Sequence, residues 1–206
     1  MHTHSSHRHA ISKNEINDLP CKTYTGSIHV IDSDSKMHSA VQSIASEKVL
    51  GFDTETRPAF KKGESYPPSV IQLAAFDRVY IFQLRHIKSY DPIAGILNDK
   101  KVLKAGVKVD DDIKKLSDLF PLGSSGFVEL AGMAHKAGIK NAGVRGLAAL
   151  LFGFRISKQT KCSRWDTQAL TREQIIYAAT DAWVCRELYF ALQGILHGKM
   201  HSQTHS

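Results

Sequence analysis

Short apolar runs dominate the first half of the chain, and apolar stripes at helical spacing dominate the second. Residues 26–33, 49–55, 70–76 and 79–84 read as strands, with a helix over 34–47 between the first two. The link 56–69 carries Pro58, Gly63, Pro67 and Pro68 and reads as a loop. From residue 90 onward helices take over, at about 92–97, 111–119, 130–136, 144–151 and 171–196. A short strand-like segment precedes the second of these. A mixed sheet flanked by helices fits this order, which predicts a single α/β domain over residues 21–196. Polar segments, 1–20 and 197–206, lie on either side as tails. Both tails are rich in histidine (His2, His4, His7 and His9; His197, His201 and His205) and are expected to carry no catalysis.

The chemistry begins where the apolar run 49–52 meets Asp53-Thr54-Glu55. In a strand, alternate side chains share a face, so Asp53 and Glu55 point the same way. Two carboxylates on one side of a strand end repel each other unless a cation sits between them, and hard Mg²⁺ or Mn²⁺ suits oxygen ligands. Alone, this pair reads better as a strand end running out into solvent, where acidic residues are common. A second acidic residue changes the balance. Thr171 and Gln174 form a capping-box pattern that opens the last long helix. Its apolar stripe runs Tyr177, Asp181, Val184, Leu188, Leu192 and Ile195, which turns Asp181 toward the core. A buried aspartate needs a partner. An arginine or a backbone amide would serve, but a metal shared with Asp53 and Glu55 explains both motifs together.

A third source is Asp110-Asp111-Asp112, at a helix start where acidic side chains complement the helix dipole. Capping accounts for Asp110 and Asp111. Asp111 shares its face with Lys115 and Asp118, whereas Asp112 shares its face with Leu116 and Leu119 and turns inward. Asp112 is the better candidate, and periodicity alone leaves Asp110 open.

The net charge of +7 favours a polyanionic partner with salt-sensitive binding. Arg57, Lys61, Lys62, Arg155, Lys158, Lys161 and Arg164 are the basic residues that such a partner would meet near the acidic site. Thr56 and Arg57 directly follow the first motif and are the expected substrate contacts, since a loop beside a site usually touches substrate. Three scattered cysteines, Cys21, Cys162 and Cys185, suggest neither disulfides nor zinc and fit a reducing compartment. With no signal-peptide core and no run of ~20 apolar residues, a cytoplasmic location is expected, or a nuclear one in a eukaryote.

Asp53-x-Glu55, then Asp112, then Tyr177-x-x-x-Asp181 resemble the three motifs of the DEDD exonuclease superfamily, in its DEDDy branch. The histidine-using branch would place its histidine at the position of Ile176. The wording Gly51-Phe52-Asp53-Thr54-Glu55, Ile71-Gln72-Leu73, Phe127-Val128-Glu129-Leu130 and Tyr177-Ala178-Ala179-Thr180-Asp181-Ala182 is similar to Werner-type exonuclease domains, and more distantly to ribonuclease D. One departure is Gln168-Ala169, where ribonuclease D-type members often carry Arg-Pro. The resemblance implies a ribonuclease H-like fold and hydrolysis of phosphodiesters at a 3′ end with two divalent cations, Mg²⁺ or Mn²⁺. It implies that Asp53 bridges the ions, that Glu55 and Asp181 complete the site, and that Asp112 supports the second ion through its water shell. Tyr177 would orient the attacking water. The implied substrate is single-stranded or 3′-recessed DNA, with RNA trimming and silent nucleic-acid binding as alternatives. Targeting would come from a protein partner.

Overall fold

The computed structural model describes residues 9–160 and 162–203. His2, His4, His7, Lys161 and His205 lie outside the described residues. Six strands form one mixed sheet in the order β1-β4-β3-β2-β5-β6: β1 (Ser27–Ile31), β2 (Val49–Glu55), β3 (Val70–Ala74), β4 (Arg78–Gln83), β5 (Leu103–Gly106) and β6 (Phe127–Glu129). Strands β2, β3 and β4 form an antiparallel meander, and β1, β5 and β6 join it in parallel pairings. The mixed α/β architecture expected from the order of elements is the one observed.

The two faces of the sheet follow the period of two. Leu50, Phe52, Ile71, Leu73, Tyr80 and Phe82 pack on one side against helices α2 (Asp34–Ile44) and α3 (Asp91–Asn98). Val70, Ala74, Val79 and Ile81 face the other way, against Ala178, Ala179 and Ala182 of the long helix α7 (Arg172–Gln203). Helices α5 (Leu130–Lys136) and α6 (Val144–Phe152) pack on the later turns of α7. Gly51 lets α7 lie directly on β2, because a Cβ there would sit 1.9 Å from the Ala182 carbonyl oxygen.

Four departures from the sequence reading stand out. Helix α4 (Val109–Leu116) starts two residues early. Lys108 in the left-handed region, at φ 64°, ends the turn after β5 and lets Val109 begin the helix. Strand β6 has only three residues, too few for alternation to register. Of the segment set apart as an N-terminal tail, residues 9–20 dock on the body through α1 (Lys13–Asp18), which a Ser12–Glu15 capping box opens and Ile16 anchors. Arg145 donates to Asn17 Oδ1 at 2.8 Å and ties α1 to α6. At the other end α7 runs past residue 196 to Gln203, with Lys199 Nζ donating to the Ala137 carbonyl at 2.7 Å.

Candidate active site

Strand parity and helix periodicity converge at the C-terminal end of β2. Asp53, Glu55 and Asp181 each offer a carboxylate oxygen, and these atoms lie within 4.8 Å of one another. Glu55 and Asp181 are buried and Asp53 is half-buried. One Asp53 oxygen, Oδ1, accepts the Thr54 backbone N–H at 3.0 Å. Cations with ligand distances near 2.1 Å hold neighbouring oxygens roughly 3 to 4 Å apart. The trio therefore closes on such an ion with a small movement. Its donor set is oxygen only, which fits Mg²⁺ or Mn²⁺ rather than a soft metal.

Helix α7 is fixed in place by its N-terminal cap. The Thr171 N–H donates to Gln174 Oε1 at 2.9 Å, and the Gln174 N–H donates to Thr171 Oγ1 at 3.2 Å, the capping box expected from sequence. Gln174 does more than the pattern required. Its Nε2 donates to Ser163 Oγ at 2.9 Å and to the Arg164 carbonyl at 3.0 Å, clamping the preceding loop. That loop carries the buried Trp165, whose ring lies 6.0 Å from that of Tyr177. Tyr177 stands one turn before Asp181. Burial first, then the charges of Asp181 and Glu55, push its phenol far above the ordinary value of 10.0. Without a cation these effects favour the protonated hydroxyl, which is a hydrogen-bond donor. A cavity of about 270 Å³ opens beside it, lined by Tyr177 and Asp181 with Thr23, Ser157 and Thr160.

Asp112 is not one of the close trio. Its Oδ1 accepts the Thr54 hydroxyl at 2.6 Å, so α4 is tied to β2 across 58 residues of sequence. Burial raises its carboxyl from the ordinary 3.8 to about 6, against the opposing effects of the Thr54 hydrogen bond and Lys115. Asp110 and Asp111 are exposed, whereas Asp112 is the aspartate of the three that reaches Thr54 on β2. Beneath the site, burial and then the charges of Asp53, Asp181 and Asp112 push the Cys185 thiol up, so it stays a neutral packing group.

The basic residues separate into two kinds. Arg57 pairs with Asp166 at 3.3 Å and stacks over the Tyr66 ring at 4.1 Å, while Arg155 Nε donates to the Leu19 carbonyl at 3.1 Å. These hold loops together. Lys61, Lys62 and Lys158 are exposed and remain available to a polyanion. Thr56 is half-buried directly after Glu55. Two residues escaped the sequence reading as site groups. Thr54 was passed over between two carboxylates, although its position opposite them is what brings in Asp112. Glu129 accepts the N–H groups of Val109 at 3.0 Å and of Ala131 at 3.0 Å, so it anchors the starts of α4 and α5. An acidic residue immediately before a predicted helix was the available signal for it.

A strand pair of carboxylates, an aspartate and tyrosine one helical turn apart, and a mixed sheet under a long helix together form a candidate metal site with oxygen ligands only. The model of the 3′-5′ exonuclease family matches residues 28–197, and the chain belongs to that family. It is 29% identical over 191 residues to the mouse bifunctional 3′-5′ exonuclease/ATP-dependent helicase WRN, covering 87% of this chain and 14% of that protein. It is 32% identical over 162 residues to human exonuclease 3′-5′ domain-containing protein 2, covering 71% of this chain and 25% of that one. The chain thus spans a quarter or less of the length of these two relatives. Among solved structures, the Aedes aegypti Nibbler EXO domain superposes with a TM-score of 0.78 at 23% identity, over 86% of this chain and 94% of that one. Escherichia coli RNase D follows at 0.74 and 20% identity, over 84% and 46%. These neighbours carry the fold, and with the relatives they fit the DEDD superfamily, whose members use divalent metals. The chain therefore carries a domain of the 3′-5′ exonuclease family. Among the described residues, no helix is long and apolar enough to cross a membrane.

Proposed function

We propose that this exonuclease removes nucleotides from the 3′ end of DNA by two-metal hydrolysis. The observation that carries the reading is the approach of Asp53, Glu55 and Asp181 to within 4.8 Å of one another, with Tyr177 lining the same cavity as Asp181. Asp53, Glu55 and Asp181, with Asp112 beyond them, are the residues that would hold the divalent ions. When bound, the ions supply the positive charge that activates water and stabilises the departing 3′ oxygen. The chain's own groups do the positioning. Tyr177 donates its hydroxyl proton in a hydrogen bond to the attacking water and orients it toward phosphorus. Thr54 keeps Asp112 facing the site. The exposed Lys61, Lys62 and Lys158 draw the phosphate backbone past an acidic centre that would otherwise repel it. Thr56 and Arg57 border the path of the strand, Arg57 acting mainly by bracing the loop on Asp166. The preference for DNA follows the resemblance of the motifs to Werner-type exonuclease domains.

The deciding experiment is end-labelled degradation of matched DNA and RNA, single-stranded and 3′-recessed, in Mg²⁺, Mn²⁺ or EDTA, with Asp53→Ala as control. Stepwise metal-dependent shortening of DNA from the 3′ end is expected. Faster shortening of RNA would transfer the assignment to RNA, and shortening in EDTA would remove the metals from the mechanism.

A further inference from the structure

Gln72 is completely buried, and neither its Oε1 nor its Nε2 has a hydrogen-bond partner. It sits in the middle of β3, between Ile71 and Leu73, which face the opposite core. Along its own face Gln72 is flanked by Val70 and Ala74, both packed against the alanines of α7. A buried primary amide with no partner opposes folding, and a leucine or methionine would fill the same slot without that cost. Packing does not explain why an amide stands there.

The register does. The residue directly across from Gln72 on β2 is Asp53. Directly opposed side chains in an antiparallel pair share a face, with Cβ atoms about 4.5–5.5 Å apart. The Gln72 amide can span that gap to the Asp53 carboxylate. Asp53 Oδ1 already accepts the Thr54 N–H from its own strand. A donor from the neighbouring strand would add to the hold on the carboxylate and help fix which lone pairs face the cations. We infer that Gln72 is a positioning residue for Asp53, its amide N–H donating to the carboxylate when divalent ions are bound. The inference rests on the proposed role of Asp53 as an ion ligand. It gives the Ile71-Gln72-Leu73 motif a function that neither sheet packing nor the carboxylate trio supplies.

The test turns on opposite signs. Gln72→Met keeps the length and removes the polar atoms. A merely structural amide predicts equal or higher thermal stability in EDTA, with Mn²⁺ binding unchanged. A positioning amide predicts the same stability gain together with Mn²⁺ affinity weakened about 10- to 100-fold by calorimetric titration. kcat should fall in step, with KM for an oligonucleotide unchanged. Wild-type Mn²⁺ affinity and kcat in a folded Gln72→Met variant would overturn the inference. Should that variant not fold, Gln72→Glu preserves shape and places a carboxyl beside Asp53. A change in Mn²⁺ affinity of about tenfold or more is then expected, and an unchanged affinity would be equally fatal. Asp53→Ala run in parallel keeps the two ideas apart. If it retains Mn²⁺ binding, the role of Asp53 fails; if it loses binding while the Gln72 variants keep theirs, only the inference about Gln72 fails.

Discussion

Adding one methyl group at Gly51 tests whether the packing of α7 on β2 sets the geometry of the site. The new Cβ would stand 1.9 Å from the Ala182 carbonyl oxygen and 2.8 Å from the Arg186 nitrogen. Both are backbone atoms of α7, so no side chain can rotate away. Restoring an ordinary carbon–oxygen contact of about 3.3 Å requires the helix to retreat by about 1.4 Å. Asp181 precedes Ala182 by one residue, and it must move with the helix while Asp53 and Glu55 stay on the strand. Overpacking of this kind costs about 1–3 kcal/mol, which lowers the melting temperature of a domain this size by several degrees. A displacement of about 1 Å at a reacting centre costs on the order of 10²-fold in rate. Gly51→Ala is therefore expected to melt lower in EDTA, bind Mn²⁺ more weakly and degrade a labelled oligonucleotide about 100-fold more slowly. Gly95→Ala is the matched control, because a methyl there meets nothing within 4 Å on the exposed side of α3. It should leave the rate unchanged and raise stability slightly, since glycine is the poorer helix former. A Gly51→Ala protein with lowered stability but wild-type rate and Mn²⁺ affinity would refute the coupling of helix seat to site.

The other expectations concern the groups around the trio. Tyr177→Phe should lower kcat about 10- to 100-fold, the worth of one well-placed hydrogen bond to a charged centre, while Mn²⁺ affinity measured by titration stays the same. An unchanged kcat would end the orienting role. Asp112→Ala should impair degradation far more than Asp111→Ala in the same assay, and the reverse order would move the second motif by one residue. Asp112 also gives a pH signature in the absence of metal. Because its carboxyl is raised from 3.8 to about 6 in the fold, its contribution to stability is fully present below pH 3.8 and is lost as pH rises through 6. The loss is at most ~3 kcal/mol. In EDTA, Asp112→Asn should therefore melt above wild type at pH 7.5, with the difference shrinking toward pH 4. Equal melting curves at both pH values would show that burial of this carboxyl carries no such cost.

What could be read from the sequence follows from what periodicity encodes. Parity alone placed Asp53 and Glu55 on one face, and helical phase alone turned Asp181 inward with Tyr177. Both hold because a single element sets each relation. The Thr171–Gln174 cap was legible for the same reason. Relations between elements were not. Whether Asp110 or Asp112 faces the site depended on where α4 begins, and that is decided by the left-handed turn at Lys108 and confirmed by a hydrogen bond to Thr54 across the sheet. Arg57 and Arg155 could be read only as basic surroundings for a phosphate backbone, because a sequence shows a charge but not its partner. The fold adds those partners, Asp166 and the Leu19 carbonyl. Gln72 marks the remaining limit. In the sequence it stands only as part of the Ile71-Gln72-Leu73 wording, and the register that sets it opposite Asp53 belongs to the fold. The carboxylates themselves announce the chemistry because their type is unusual inside a core. The groups that aim them are ordinary threonines, glycines and amides, so only the fold separates those that position a carboxylate from those that merely fill space.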